Sequence, residues 1–476
     1  MTVENINVEA AIRRVNDLIA AEKDLSPALK ASLEVLLLLV TILTNRLGLS
    51  SKNSSKPPSA DPNRLKNNRE ASDRKPGGQP GHRGATLKPV SDPDEIKIIT
   101  VDQRILPQGV YREIGYETRQ VIDLDISTVV TEWRAQILED QSGKRYVAPF
   151  PKDVTRPVQY GIGIKVNSVY MSQYQLIPYN RIEDHFWEQM GLPLSAGSIH
   201  NFNQDAYDRL EFFDTWIREQ LKGSPLIHTD ETGINIGGSR RWLHTVSNDR
   251  FTCLYPHAKR GCEAMDEMSI LPGYKGIMCH DHWKPYFKYG GAHALCNAHH
   301  LRELERAVEQ DKQKWAGQMI KLLKEINKAT HEAGGRLKAT ESEQYRKRYR
   351  DLLQEAETEC PPPVKPGEKK QGKTARSKAR NLLERLRDFE NDALRFMDDK
   401  AVPFSNNQAE NDLRMTKVQQ KISGCFRSMD GAKIFCRIRS YLSTCRKQGV
   451  TASEGLRLLF QGKWPTFMDV KEQSAE

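Results

Sequence analysis

Apolar residues recur at helical spacing over the first fifty positions. Val8, Ile12, Val15 and Ile19 stand four, three and four apart, and Leu29, Leu33, Leu36, Val40, Leu43 and Leu47 continue the alternation over nearly three heptads. This seam predicts a helical, coiled-coil segment over 1–50, broken and restarted at Ser26-Pro27, because proline is tolerated in a first helical turn. So small a hairpin buries little alone, so two readings stay open: a hairpin closing on itself, or self-association. Between 94 and 155 the period changes to two, with Ile96 and Ile98, then Val129, Thr131, Trp133 and Ala135, which predicts a small β-rich module.

Residues 156–222 read as helical. Tyr179–Met190 and Ser198–Leu210 flank a turn at Gly191–Ser195, a pattern similar to a helix-turn-helix, with DNA reading and ordinary helical packing both open. From 223 to 311 strands and helices alternate. Pro225–Asp230 and Gly276–Asp281 are apolar strand-like runs, Trp242–Val246 and Phe251–Tyr255 form a hairpin through Ser247–Asp249, Gly261–Ile270 is helical, and Ala292–Cys296 is a strand before the helix Ala298–Gln310. That order of elements is the order of a ribonuclease-H-like sheet. A polar helical insertion follows over 312–397, with a Pro/Lys-rich loop from Pro361 to Arg380. The α/β unit resumes over 398–465 and a tail of 466–476 closes the chain. The expected class is multidomain α+β: a helical segment, a β-rich module, a helical DNA-binding region, and an α/β catalytic domain with a helical insertion.

Composition sharpens this. The chain has 476 residues and a formal charge of +10, too long for one comfortable core. Residues 51–89 are Ser/Asn/Pro/Gly-rich and carry nine Lys or Arg against three acids, so a flexible basic arm is expected over 51–93. Within it Arg74, Lys75, His82 and Arg83 are placed to follow a phosphate backbone or enter a minor groove, against a plain solvated linker. Eight cysteines are scattered without repeat spacing, which fits reduced thiols. The run Val35–Leu43 is too short to span a bilayer and lacks the flanks of an export signal, so a cytoplasmic protein without membrane contact is expected.

The chemistry lies in three distant acids. Asp230 and Asp281 end apolar strand-like runs, and Glu410 opens a helix in Ser405–Arg414. Three carboxylates gathered together repel one another unless divalent cations neutralise them. Oxygen ligands favour Mg2+ or Mn2+, and a pair of such ions suits phosphodiester cleavage or transfer. Arg414 and Lys417, four and seven positions after Glu410, share its helical face and could hold a phosphate; the alternative is a surface helix with ordinary ion pairs.

The words around these acids resemble a known family. His228–Thr232, Lys259-Arg260-Gly261, Leu271–Tyr274, His280–Tyr286, Cys296–His299 with Arg302-Glu303-Leu304, Asn406–Arg414 and Arg437–Tyr441 are similar, in this order, to the catalytic blocks of bacterial insertion-sequence-66 family transposases. Asn53–Ser59 and Gly77–His82 resemble that family's N-terminal arm. The resemblance implies that Asp230, Asp281 and Glu410 are a DDE triad holding two Mg2+ or Mn2+ ions. It implies strand cleavage at element ends and transfer of the freed 3′-hydroxyl into target DNA. It also implies a homo-oligomer, with companion proteins encoded by the same element. Cys296 and His299 resemble a CxxH signature and are assigned to supporting the site. The alternative for that pair is a buried Cys and a hydrogen-bonded His, and a lone CxxH is only half a zinc site. Members usually carry a zinc-ribbon-like module after the arm, but residues 94–150 contain no cysteine, so no zinc is expected.

Two other classes use the same features: a junction-resolving or structure-specific nuclease, which needs neither the helical seam nor the arm, and a DNA-binding regulator, which has no need of all three acids.

Overall fold

The computed structural model describes residues 2–3, 6–22, 24–47, 49–50, 53–54, 87–363 and 376–468. Arg74, Lys75, His82 and Arg83 lie outside the described residues. The chain divides into two units: residues 1–64, 150–188 and 192–476 form one, and 65–149 with 189–191 the other.

At the N-terminus β1 (Thr2–Val3) pairs with β2 (Ile6–Asn7), followed by α1 (Val8–Ala21) and α2 (Pro27–Leu47). The break falls where the proline predicts it, with Pro27 opening the second helix. No residue of α2 is buried; Leu36, Leu39, Val40 and Leu43 are all exposed. By length and composition α2 is long and apolar enough to cross a membrane. Val35–Leu43 is the middle of this 21-residue helix, and one such helix near the N-terminus does not argue for a membrane.

In the smaller unit, β3 (Ile137–Glu139) pairs antiparallel with β4 (Arg145–Val147). Asp140 Oδ1 holds their turn by accepting the N–H groups of Ser142 (2.9 Å) and Lys144 (3.0 Å). The expected β-rich module shrinks to this hairpin among the described residues. Ile98 and Val129 are 63% and 87% exposed and have no regular structure. Period-two alternation yields strands only where a partner completes the ladder and a layer covers the apolar face.

The larger unit continues with α3 (Ile162–Val169), α4 (Tyr179–Met190), α5 (Ala196–Arg209) and α6 (Glu211–Lys222). Ser195 caps α5, accepting the Ser198 N–H at 3.1 Å. Five strands then form one mixed sheet: β5 (Leu226–Ile236), β6 (Ser239–Ser247), β7 (Thr252–His257), β8 (Ile277–His280) and β9 (Ala292–Leu295), with α7 (Cys262–Met268) between β7 and β8. The spatial order is β7-β6-β5-β8-β9, antiparallel across the first three and parallel from β5 to β9. The β5–β6 turn is Gly237-Gly238, both at positive φ (57° and 81°), the geometry a two-residue hairpin needs. The inner parallel strand β8 buries Met278, Cys279 and His280.

Among the described residues five helices follow: α8 (Asn297–Glu309), α9 (Lys314–Glu332), α10 (Ala339–Glu359), α11 (Lys378–Asp388) and α12 (Glu390–Asp398). The helices over 312–397 are not a detached body. Trp315, Leu323, Tyr349, Leu383 and Leu394 share one core with Cys279 of β8, Ala294 of β9 and Leu304 of α8. The chain ends its described course in α13 (Asn407–Ser423), α14 (Met429–Lys447) and α15 (Ala452–Phe460). Leu413, Phe435 and Cys436 pack with Ile234, Leu243 and Leu254 in a second core. α14 also satisfies the open edge of β7: Ser440 Oγ accepts the Leu254 N–H (2.8 Å) and Thr444 Oγ1 that of Thr252 (3.1 Å).

Candidate active site

Asp230 sits in mid-β5, opposite Thr245 of β6. Asp281 immediately follows β8. The parallel β5–β8 ladder ends with His228 beside Cys279, two residues before each acid, and the Asp281 charge is felt at Asp230. Asp281 opens a tight loop. Its Oδ1 accepts the Trp283 N–H (3.0 Å), and the His282 N–H donates to His280 Nδ1 (3.2 Å). His282 is held at φ 72°, a left-handed conformation that costs a residue with a side chain about 1–3 kcal/mol and gathers at functional sites. The rings of Phe287 (5.2 Å) and Phe389 (4.6 Å) pack on His282 and hold it there.

Glu410 occupies the first turn of α13, and Asn406, only 1% exposed, sets where that helix starts. The Asn406 N–H donates to Cys296 Sγ (3.1 Å), and its Nδ2 donates to the Thr229 carbonyl (2.8 Å). Its Oδ1 is thereby the acceptor for His228 Nδ1 (2.8 Å), so that nitrogen carries the ring proton. One buried amide thus ties the head of α13 to β5 just before Asp230 and to the end of β9.

The acids feel one another. Burial first, then the charges of Glu231, Asp281 and Glu410, push the Asp230 carboxyl well above the usual carboxylate range, against the bond it accepts from the Glu231 N–H. Glu410 Oε1 is buried, has no hydrogen-bond partner among the described residues, and lies 3.7 Å from Arg302 Nη2 and 4.0 Å from His299 Nδ1. Around Glu410, the donor atoms of Cys296, His299 and Glu410 lie within 4.8 Å of one another, while Asp230, Asp281 and Glu410 make no group that tight among the described residues. His299 Nδ1 is likewise buried and without a hydrogen-bond partner.

Beside the acids stands an ion pair that alternation alone does not reveal. The Glu231 side chain is 1% exposed. It accepts from Arg260 Nε (2.9 Å) and Nη2 (2.5 Å) and from the Tyr286 hydroxyl. Arg260 stacks against Trp242 (4.9 Å) and Trp283 (4.2 Å), so one guanidinium fixes the walls beside Asp230 and Asp281. Burial and then the charge of Asp281 raise the Glu231 pKa in spite of these partners.

Of the expected phosphate-holding cations, Lys417 reaches back to the sheet and donates to the Gly233 carbonyl (2.7 Å), while Arg414 is exposed. Burial and then Arg240 lower the Lys417 pKa, while Asp230 opposes them. Asp412, in the same motif as Glu410, pairs instead with Lys447 (2.9 Å). Glu231, Arg260, Tyr286, Arg302 and Asn406 are the residues that sequence reasoning leaves without a role. Four of them stand inside the quoted motifs and Tyr286 ends one, so the motifs mark the place without the contacts.

Residues 158–434, more than half of the chain, match the transposase IS66 family. The chain belongs to that family. Residues 2–88 match a second family, whose function is unknown. No curated protein matches the chain. Membership in the transposase IS66 family brings DNA as the partner and implies divalent metal use. The donor set fits such an ion: a Glu410 oxygen without a hydrogen-bond partner among the described residues, an Asp230 carboxyl whose pKa is raised by burial and then by its acidic neighbours, and oxygen ligands of the hard type.

Proposed function

We propose that this IS66-family transposase is a DDE enzyme built on a ribonuclease-H-like sheet, with Asp230, Asp281 and Glu410 as the carboxylates that hold Mg2+ or Mn2+. What carries the reading is one juxtaposition: Asp230 lies two residues beyond the last β5–β8 pair and Asp281 just after β8, close enough for the charges of Asp281 and Glu410 to act on Asp230, and the Asn406 clamp ties the helix of Glu410 to β5. The strand order β7-β6-β5-β8-β9 and the run of helices between the second and third acids support it.

When bound, the ions would supply a lowered pKa for attacking water and charge neutralisation at the leaving oxygen. The chain's own groups do the rest. Asp281 is oriented by the Trp283 N–H, and Glu231 is removed from ligand duty by Arg260 and Tyr286. Cys296 supports the site by accepting from the Asn406 backbone. His299 and Arg302 flank Glu410, and Arg414 is free to meet a phosphate. The reaction is hydrolytic cleavage at element ends, freeing a 3′-hydroxyl that attacks target DNA. The basic arm with Arg74, Lys75, His82 and Arg83 contributes salt-sensitive phosphate contact. The exposed apolar face of α2 joins copies of the chain through a coiled coil.

The test is strand-specific cleavage of native element ends with Mg2+. Asp230→Asn, Asp281→Asn and Glu410→Gln should each lose cleavage while keeping DNA binding. Full activity in any one removes that residue from the site.

A further inference from the structure

CxxH alone supplies two ligands, and the fold adds a third. Cys296 Sγ, His299 Nδ1 and Glu410 Oε1 all lie within 4.8 Å of one another. Two of these atoms, His299 Nδ1 and Glu410 Oε1, are buried without a hydrogen-bond partner among the described residues. A buried polar atom left unpaired costs stability unless something satisfies it. The Cys296 sulfur accepts one N–H, from Asn406, an arrangement that a thiolate ligand also keeps.

We propose that Cys296, His299 and Glu410 form a site for a thiophilic divalent cation of the zinc class, and that it competes with the hard-cation site for Glu410. One thiolate, one imidazole and one carboxylate with a fourth position open is a donor set that zinc accepts and magnesium does not. Bonds of about 2.0–2.3 Å require the donors to draw together by roughly an ångström, and Glu410, a third exposed, has room to turn. Binding forms metal bonds at Sγ, Nδ1 and Oε1 and releases the Cys296 thiol proton to solvent. The His299 ring proton then resides on Nε2, which ends the contact from Arg302 Nη1 at 3.4 Å. Arg302, 30% exposed, turns outward. Arg302 is therefore the gate against such metals, and it also stands beside the carboxylate the metal needs.

The binding does not depend on the catalytic reading; only the competition rests on it. The probe is Co2+ added to the full-length protein in reducing buffer, read by its thiolate-to-cobalt absorption and displaced by Zn2+. The wild type should show the band. Cys296→Ser should abolish it, and His299→Gln should weaken binding at least by the ~10–100-fold that losing a supporting partner costs. Arg302→Gln should tighten binding, which a merely structural role for the pair does not predict, and Asp230→Asn should keep the band. No band in the wild type, or the same band in Cys296→Ser, overturns the site. A band with no effect of Zn2+ on Mg2+-dependent cleavage keeps the site and counts against Glu410 as a catalytic ligand.

Discussion

Replacing Asn406 by alanine isolates the element that brings Glu410 to the sheet. The substitution keeps the backbone N–H that donates to Cys296 Sγ but removes both side-chain bonds, each at 2.8 Å. His228 Nδ1–H is left buried without its acceptor, and the Thr229 carbonyl loses one donor. A buried group deprived of its partner costs about 1–3 kcal/mol. The His228 donor bears the full penalty and the Thr229 carbonyl, which has a second lone pair, less, so Asn406→Ala should destabilise the protein by roughly 2–4 kcal/mol. Against the ~5–15 kcal/mol typical of folded domains this is a large fraction, and it is readable as a lower urea midpoint at unchanged slope. Cleavage should fall further than stability explains, because a misplacement of about 1 Å at a reacting centre costs on the order of 100-fold. Asn406→Asp keeps an acceptor for His228 but buries a carboxylate oxygen against the Thr229 carbonyl, so it should destabilise at least as much as alanine. A midpoint for Asn406→Ala corresponding to less than about 0.5 kcal/mol, the ordinary range of surface changes, refutes the clamp.

Other outcomes follow from the buried charges. Asp230 has a folded pKa above its unfolded one, so its favourable contribution is present below the unfolded value near 4 and is lost as pH rises through the folded value. Asp230→Asn should therefore raise Tm at neutral pH, by about 2–4 °C per kcal/mol relieved, with the gain vanishing near pH 4; no gain at pH 7 contradicts the crowding. His244, 2% exposed, is lowered by burial to about 4, so its contribution is present above about 6.5 and is lost as pH falls toward 4. That loss is on the order of 3 kcal/mol, and His244→Gln should flatten the acid limb of a Tm-against-pH curve; an unchanged limb counts against it.

The elements that carry these acids were legible in part. Asp281 follows the end of β8 as its apolar run predicts, whereas Asp230 lies in mid-β5, because pairing with β6 carries that strand on to Ile236. Glu410 could be placed on a helix, but not against the sheet, because that step depends on Asn406 meeting His228 and Thr229 from 178 and 177 residues away. The Glu231–Arg260 pair was illegible for the same reason: alternation assigns a face to a side chain and says nothing of a partner 29 residues on. Of the β-rich reading of 94–155 only the hairpin β3–β4 appears, because period-two spacing states what a strand would expose without stating that a partner strand exists. The helical seam at Leu29–Leu47 gave nearly the whole of α2, which starts two residues earlier, at Pro27.

The central claim, that three distant carboxylates share divalent ions, is tested most directly by loading the full-length protein with Fe2+ in place of Mg2+. Peroxide and ascorbate then generate hydroxyl radicals at the bound metal, and the polypeptide cuts are mapped. Cuts clustering around 230, 281 and 410, suppressed by excess Mg2+ and lost in Asp230→Asn, are the expected result. Cuts confined to one of the three segments, or found elsewhere and unaffected by Mg2+, would contradict a common metal site.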